Sequence, residues 1–519
     1  MRPQIWRPPV ELSPAEADVV RVVRRGQLFV FLRQWRHELF DDAFQDELND
    51  LYVEAEKGHP PVAPAQLALV TILQAYTGVS DAEAIEALAM DRRWQLVLGC
   101  LGATRAPFGK GTLWRFRTLL IARDMDRRLV ERTVEMARQR GGFGARALRA
   151  ALDASPLWGV GRVEDTYNLL GHALHKALSV LARQQGRGLA DVALEAGAPE
   201  LALSSLKAAL DIDWDDPVGR VDALGRVLSL VTAVTAYVAD QASVPAATHA
   251  ALATAEQVRA QDVTHADDGT PVLAQGVARD RRISVEDEQM RHGRKSRTHR
   301  FDGYKRHIVR DLDSGLIHAV AITAANAPEA SATDALVADL DHQDCQIAQL
   351  HIDRGYLSSS LVRDRPADRV IVGKAWSVHN GDRFPKTAFT LDWASQSIRC
   401  PANHTQPFVV GTTVHFPTAL CAACALRPHC TRSPQGRSIS IHRDEQLLGE
   451  LRAQQRTPAG RALLRERIAV EHDLAHISQW QGHRARYRGV RKNLFDLRRI
   501  AVLSNLHLIT RRYPLRSAA

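Results

Sequence analysis

Three carboxylates stand out by their position in the chain. The run LRAALDASPL is short and apolar and reads as a buried strand carrying Asp153 at its tip. A second such run, IAQLHID, closes on Asp353 and is followed by the loop residues Arg354, Gly355 and Tyr356. If the residues between them form an insertion, the two strands can be neighbours in one sheet. An open sheet presents its functional groups at the carboxyl edge of its strands. Adjacent carboxylates there repel unless a hard cation such as Mg²⁺ lies between them. Taken singly, an aspartate at a strand end more often caps the next turn. The third acid, Glu471, lies in RALLRERIAVEHDLAHISQW. Helical spacing puts it on the side of Leu464, Ile468 and Leu474, and puts Glu466 and Asp473 on the opposite, solvent side. A glutamate among apolar residues needs a partner. That partner is either a metal ion or Arg467, four residues earlier; periodicity alone slightly favours the Arg467–Glu471 ion pair.

A second chemistry is written in the cysteines. Cys400, Cys421, Cys424 and Cys430 have the spacing C-x20-C-x2-C-x5-C. The C-x2-C step suits one edge of a tetrahedral Zn²⁺ site, and His404 or His429 can replace one thiolate. The alternative is a reduced cluster packed as small apolar side chains. A zinc ion here would brace the segment between Asp353 and Glu471 without joining the chemistry of the acids. Cys100 and Cys345 read as ordinary buried thiols.

Positive charge gathers beside the acids. Residues 291–310 hold eight Lys or Arg against one Asp, and residues 481–499 hold seven against one. Such runs suit a phosphate backbone and would make binding fall steeply with salt; the alternative is a solvated basic loop. Tyr304 and Tyr487 lie inside these runs, able to stack on bases or simply to pack. The whole chain has a formal charge of +9, which suits a polyanionic partner without naming one.

The 519 residues suggest three or four modules. With 45% apolar and 24% charged residues, a disordered or fibrous chain is excluded. Six cysteines are too few for a disulfide scaffold. The apolar run Val227–Val238 is shorter than the ~20 residues a bilayer requires. The N-terminus has no signal-peptide pattern, so the expected location is cytoplasmic. Residues 1–145 read as a helix bundle, with Ser80 or Asp81 capping a helix after a break at Gly78. The arginines of GTLWRFRTLLIARDMDRRLVERTVEMARQR, read as one helix, suit either a phosphate backbone or a packing face. Residues 146–164 contain the Asp153 strand, and 165–290 read as an all-helical insertion. Residues 291–370 bring a hairpin around Asp313-Ser314-Gly315 and the Asp353 strand. Residues 371–450 hold the cysteines. Residues 451–519 hold a long helix from about Pro458 to Trp480 with Glu471, a basic segment and a last helix near Leu494–Thr510.

Taken in order, these motifs resemble a known family. LDASPLWGVGRVEDTYNLL, MRHGRKSRTHRFDGYKRHIVRDLDSGLIHAVAITAANAPEA, LHIDRGYLSS, CPANHT, CAACALRPHC and RERIAVEHDLAHISQWQGHRARYRG are similar to bacterial insertion-sequence transposases of the Asp-Asp-Glu (DDE) class. The N-terminal PPVAPAQLALVTILQAYTGVSDAEAIEAL is similar as well, so the likeness extends over nearly the whole chain; its nearest group is the insertion sequence eleven-eighty-two family. The resemblance implies an α/β fold with a ribonuclease H-like core, a helical N-terminal DNA-binding or dimerisation domain, and helical and cysteine-containing insertions. It implies a catalytic triad of Asp153, Asp353 and Glu471 holding Mg²⁺ or Mn²⁺, and two-metal cleavage of DNA at the element's terminal inverted repeats. The released 3′-hydroxyl then attacks target DNA within a dimeric synaptic complex. Candidate DNA contacts are Arg294, Lys295, Lys305, Arg467, Arg484, Arg486, Arg488 and Lys492, with Arg491 beside them. Relatives carry a Tyr, Arg, Glu, Lys signature on the last catalytic helix. Arg467 and Glu471 match it, while Leu464 and Ser478 replace its tyrosine and lysine. The competing functions are a non-catalytic DNA-binding derivative and a stand-alone Mg²⁺ nuclease.

Overall fold

The computed structural model describes residues 2–54, 60–141, 147–203 and 205–512. The change of pattern near Arg146 and the last seven residues of the basic tail lie outside them. Six strands form the main sheet: β1 (Ala147–Trp158), β2 (Arg291–Arg294), β3 (Arg300–Asp311), β4 (Ile317–Ala324), β5 (Gln346–Ile352) and β6 (Val370–Gly373). β1 is central. It pairs antiparallel with β3 and parallel with β5, β5 continues parallel to β6, and β3 pairs antiparallel with β4 and with β2. The β3–β4 hairpin turns at Gly315, whose φ of 81° needs a residue without a Cβ, as the Asp-Ser-Gly sequence predicts.

Alternation along β1 divides its side chains between two cores. Leu148, Ala150 and Leu152 face one core with Val309, Leu350 and Ile352. Ala151 and Leu157 face the other with Tyr304 and Ile308. Asp153 shares the parity of the second set. That second core is continuous with the N-terminal helices and with the C-terminal helix Val490–Arg512, whose Phe495, Leu497, Val502 and Leu506 are buried within it. Asn505 of that helix accepts from the backbone N–H of Ile317 on β4 (2.8 Å) and donates to its carbonyl (2.9 Å), so one buried amide satisfies both groups.

Among the N-terminal helices, Ser80 is the cap of Asp81–Met90, with Glu83 completing a reciprocal box, and Gly78 ends the preceding helix at φ 75°. The stretch read as one arginine-rich helix is two, Lys110–Ala122 and α1 (Met125–Gln139), divided where Asp124 adopts φ 55°. The α1 arginines are committed internally. Arg128 bonds Glu47, Glu131 and Glu135, and Arg132 bonds Asp41 and Glu135. This face packs within the protein.

Between β1 and β2 stand α2 (Thr166–Gln185), α3 (Pro217–Ala239) and α4 (Ala246–Asp262), with a core of their own. The block is not wholly helical: Val263–His265 and Pro271–Leu273 pair as a short hairpin. By length and composition α3 could span a membrane, because the helix extends well beyond the apolar run Val227–Val238. Its apolar character has a packing reason: Leu224, Val227, Val231, Val234 and Val238 are buried in this core.

The cysteine-bearing segment forms two small antiparallel sheets around Phe389, Ile398, Phe408, Val414 and Phe416. After it, the long helix expected from Pro458 divides at Arg467 into α5 (Pro458–Glu466) and α6 (Ile468–Gln481). The last helix, α7 (Val490–Arg512), begins earlier than its apolar pattern suggests.

Candidate active site

Asp153 is not at the end of its strand. β1 continues to Trp158, and it is β5 that stops: Leu152 pairs with Ile352, and the next residue on each strand is Asp153 and Asp353. In a parallel ladder, residues in register point to the same face, with neighbouring strands ~4.8 Å apart. The two aspartates therefore stand side by side where β5 leaves the sheet. The Asp353 loop is fixed from beneath. Tyr356 is fully buried, and its hydroxyl is 2.7 Å from Nδ1 of His307 on β3, whose Nε2 lies 2.9 Å from Thr323 Oγ1.

Helix α6 supplies the third acid, with its faces assigned differently from the periodicity reading. Its buried residues are Val470, Leu474, Ile477 and Gln481. Glu471 is about half exposed (48%), and Ile468 is exposed as well. Asp473, expected in solvent, is turned inward against Arg310 of β3 at 2.9 Å. Helical spacing groups residues into faces, but the sheet decides which face is covered. Arg310 makes an inward Asp473 tolerable, and the groove beside β1 leaves Glu471 open.

Arg467, at the junction of α5 and α6, joins the acids. One guanidinium nitrogen donates to Asp153 Oδ2 and another to Glu471 Oε1, both at 2.7 Å. Asp153, Asp353, Glu471 and Arg467 line one groove of about 490 Å³, together with Arg294, Lys295, Lys305, Glu329 and Ser478. Ser478 bonds the Leu474 carbonyl of its own helix. The groove brings together four of the sequence-nominated basic residues. The others lie elsewhere. Arg484 donates to the Gly159 carbonyl, Arg486 to the carbonyls of Gly78 and Val79, and Arg488 to Glu286; Lys492 is exposed. Arg491 is structural, bound to Asp126 and Asp124 of the N-terminal helices.

Burial pushes the Asp153 carboxyl up to about 6; Arg467 and the Ala154 N–H oppose this, and the nearby Glu471 and Asp353 reinforce it. A carboxylate removed from water beside two others lacks positive charge. Among the described residues, no three acid, histidine or cysteine side chains stand as a ready-made metal site. The donor set nevertheless fits a hard divalent cation: it consists of carboxylate oxygens, and among the described residues the cation bonded to both Asp153 and Glu471 is the Arg467 guanidinium.

Glu329 escaped the sequence reading. It follows β4 inside AITAANAPEA, a stretch valued there only for its resemblance. It is drawn in because Gly355 has no side chain: a Cβ on Gly355 would stand 2.0 Å from Glu329 Oε2. Burial raises the Glu329 carboxyl, Lys305 opposes that and Asp353 adds to it. Lys305 is itself lowered by burial and donates to the Ala327 carbonyl at 2.9 Å. The signal available in the sequence was an acid just past a strand end, at the start of a short helical turn.

Of the basic run 291–310, Arg306 is interior. It donates to Ser155 Oγ, Gln481 Oε1 and the carbonyls of Pro156 and Gly482, tying β1 to the end of α6. Tyr304 is buried with its hydroxyl donating to Asp287 at 2.5 Å and offers no stacking face, whereas Tyr487 is partly buried against the core. The four clustered cysteines, all free, line one cavity with His404, whereas His429 does not line it. Burial raises the Cys430 thiol; Arg437 opposes this, and the other three cysteines add to it. Cys100 is only partly buried, and buried Cys345 accepts from Arg138.

Three family models match the chain. Residues 24–119 match a transposase domain (DUF772), and residues 225–371 and 399–509 each match a transposase DDE domain. Asp353 falls within the second match and Glu471 within the third, while Asp153 lies outside all three. No curated protein and no solved structure matches. The matched segments together span more than half of the chain and include the regions that supply two of the three grouped acids. The chain belongs to the insertion-sequence transposases of the DDE class.

Proposed function

We propose that this chain binds the terminal inverted repeats of its mobile element, cleaves DNA there in a Mg²⁺- or Mn²⁺-dependent reaction and joins the freed 3′-end to target DNA. The observation that carries this reading is the meeting of Asp153, Asp353 and Glu471 in one groove around Arg467. The sheet order β4-β3-β1-β5-β6, with β3 antiparallel to β1 and the acids grouped where β1 and β5 part, supports a ribonuclease H-like core. The motifs quoted above support placement in the insertion sequence eleven-eighty-two family.

Asp153, Asp353 and Glu471 hold the divalent cations. When bound, these supply Lewis acidity at the attacking and leaving oxygens of an in-line displacement. Arg467 holds Asp153 and Glu471 in place and contributes positive charge where a phosphodiester enters. Arg294 and Lys295 engage the DNA backbone on the same groove, and Lys305 balances Glu329 behind Asp353. Arg484, Arg486, Arg488 and Lys492 extend the basic surface beyond the groove. Residues 1–145 serve end binding and dimerisation, and two protomers synapse two ends. The protein works in the cytoplasm on chromosomal or plasmid DNA. Cys400, Cys421, Cys424 and Cys430 hold a structural Zn²⁺ that braces the segment between β6 and α5. Their support is shared lining of one cavity, with sulfur donors suited to that ion.

The test uses purified chain and duplexes carrying the DNA that flanks its gene. Wild type should nick the repeat ends with Mg²⁺, and Asp153→Asn should bind the same duplexes without cutting. Equal cutting of unrelated duplexes indicates a general nuclease, and binding without cutting by wild type indicates a non-catalytic derivative.

A further inference from the structure

A second concave surface lies on the helical block, which the proposed reaction leaves without a role. It is a groove of about 440 Å³ between α2 and the segment around Val285. The buried side of α2 is apolar, through Leu170, Ala173, Leu174, Ala177, Leu178 and Leu181. The side facing this groove carries His172, His175, Lys176 and Arg183, spaced as one helical face, with Arg162 at the rim.

The charge of the groove is not balanced from within. Its two acids, Glu164 and Glu286, are already engaged: Glu164 with His172 at 2.5 Å and Arg162 at 3.6 Å, and Glu286 with Arg488. Lys176 and Arg183 are exposed, and among the described residues no salt bridge holds either of them. An isolated basic stripe is ordinarily a solvated face. This one is concave, and two stretches of backbone connect it to the acid groove. The first is β1, which carries Asp153 and Ser155 in the acid groove and leads within nine residues to Arg162. The second is the basic loop after α6. It starts beyond Ser478 of the acid groove, is stitched to Trp158 of β1 by two backbone hydrogen bonds (2.9 and 2.6 Å), and reaches Glu286 through Arg488.

We propose that this groove is a second binding site for the DNA backbone, with Lys176 and Arg183 contacting phosphates of the same duplex whose scissile bond lies in the acid groove. The inference rests on the transposase reading above. It gives the helical block a function: holding the duplex to one side of the cut. Arg484 and Arg488, along the connecting loop, lie on the path between the two sites.

The experiment measures binding of a fluorescein-labelled duplex of several helical turns, carrying the DNA that flanks the gene, across a salt series. Lys176→Ala/Arg183→Ala should weaken binding at each salt concentration and flatten the log–log salt dependence by about 1.8, since each lost phosphate contact removes about 0.9. Charge reversal, Lys176→Glu/Arg183→Glu, should weaken binding further. Both positions are exposed, and unchanged thermal melting identifies a folded variant. An unchanged salt slope in a folded double variant that still cleaves would overturn the groove proposal and leave the transposase reading standing. A wild type that fails to cleave, yet binds in a Lys176- and Arg183-dependent manner, would sink the catalytic reading and leave the groove as a DNA site.

Discussion

Replacing Asp153 by asparagine should stabilise the cation-free protein while abolishing its chemistry. The Asp153 carboxyl stands near 6 in the folded chain, against an ordinary value of 3.8, with burial as the largest cause. The folded state therefore keeps a proton that the unfolded chain releases in this window. The Asp153 contribution to folding stability is greatest below about pH 4 and is lost as pH rises toward and through 6. At about 1.4 kcal/mol per pH unit, the ionised form costs about 3 kcal/mol at neutral pH. Asparagine resembles the protonated acid in shape and carries no charge, so Asp153→Asn recovers most of that amount even though Arg467 loses an ionic partner. The assay is thermal melting in chelator-treated buffer at pH 7.5 and pH 4.5, repeated with Mg²⁺. The variant should melt several degrees above wild type at pH 7.5, and the difference should shrink at pH 4.5. Mg²⁺ should raise the wild-type transition and close the gap, because a ligand held only by the folded state stabilises it. A variant that melts below wild type at pH 7.5 without cation would refute the reasoning, since Arg467 would then already neutralise the site.

Three further outcomes follow from the geometry. Glu329→Gln and Gly355→Ala should reduce strand cleavage together, by at least about tenfold (about 1.4 kcal/mol in the barrier), because a methyl on Gly355 displaces the Glu329 carboxylate; full activity of Gly355→Ala would show that the position of Glu329 is immaterial. Arg306→Ala should destabilise the core by about 3 kcal/mol or more, since it strands the buried groups of Ser155, Gln481 and two carbonyls; a melting curve matching wild type would contradict that. Elemental analysis should find about one zinc per chain, and chelation should lower the melting temperature, with Cys424→Ser reproducing the loss; zinc-free protein with chelator-insensitive melting would leave the thiols as a reduced cluster.

The acids were legible for a local reason. An apolar run ending in Asp353 and the turn Arg354-Gly355-Tyr356 announces a strand and its exit, and Arg467 four residues before Glu471 announces a helical pair. Both depend on periodicity over a few residues, which a linear chain displays. The same holds for the Ser80 cap and the Gly315 turn, where one residue type meets one backbone demand.

The remainder depends on partners distant in the chain. Asp153 meets Asp353 through the register that opposes Leu152 to Ile352, and β1 runs past that point because β3 continues beside it. The exposed face of α6 is set by Arg310 receiving Asp473 and by the open groove at Glu471, so hydrophobic spacing pointed to the wrong side. The basic runs look uniform as strings, yet strand alternation and helix packing send Arg306 and Arg491 inward and leave Lys295 and Lys492 available. Local pattern chooses the elements and lists the chemical groups; burial and register, which are pairings across hundreds of residues, decide which of those groups meet.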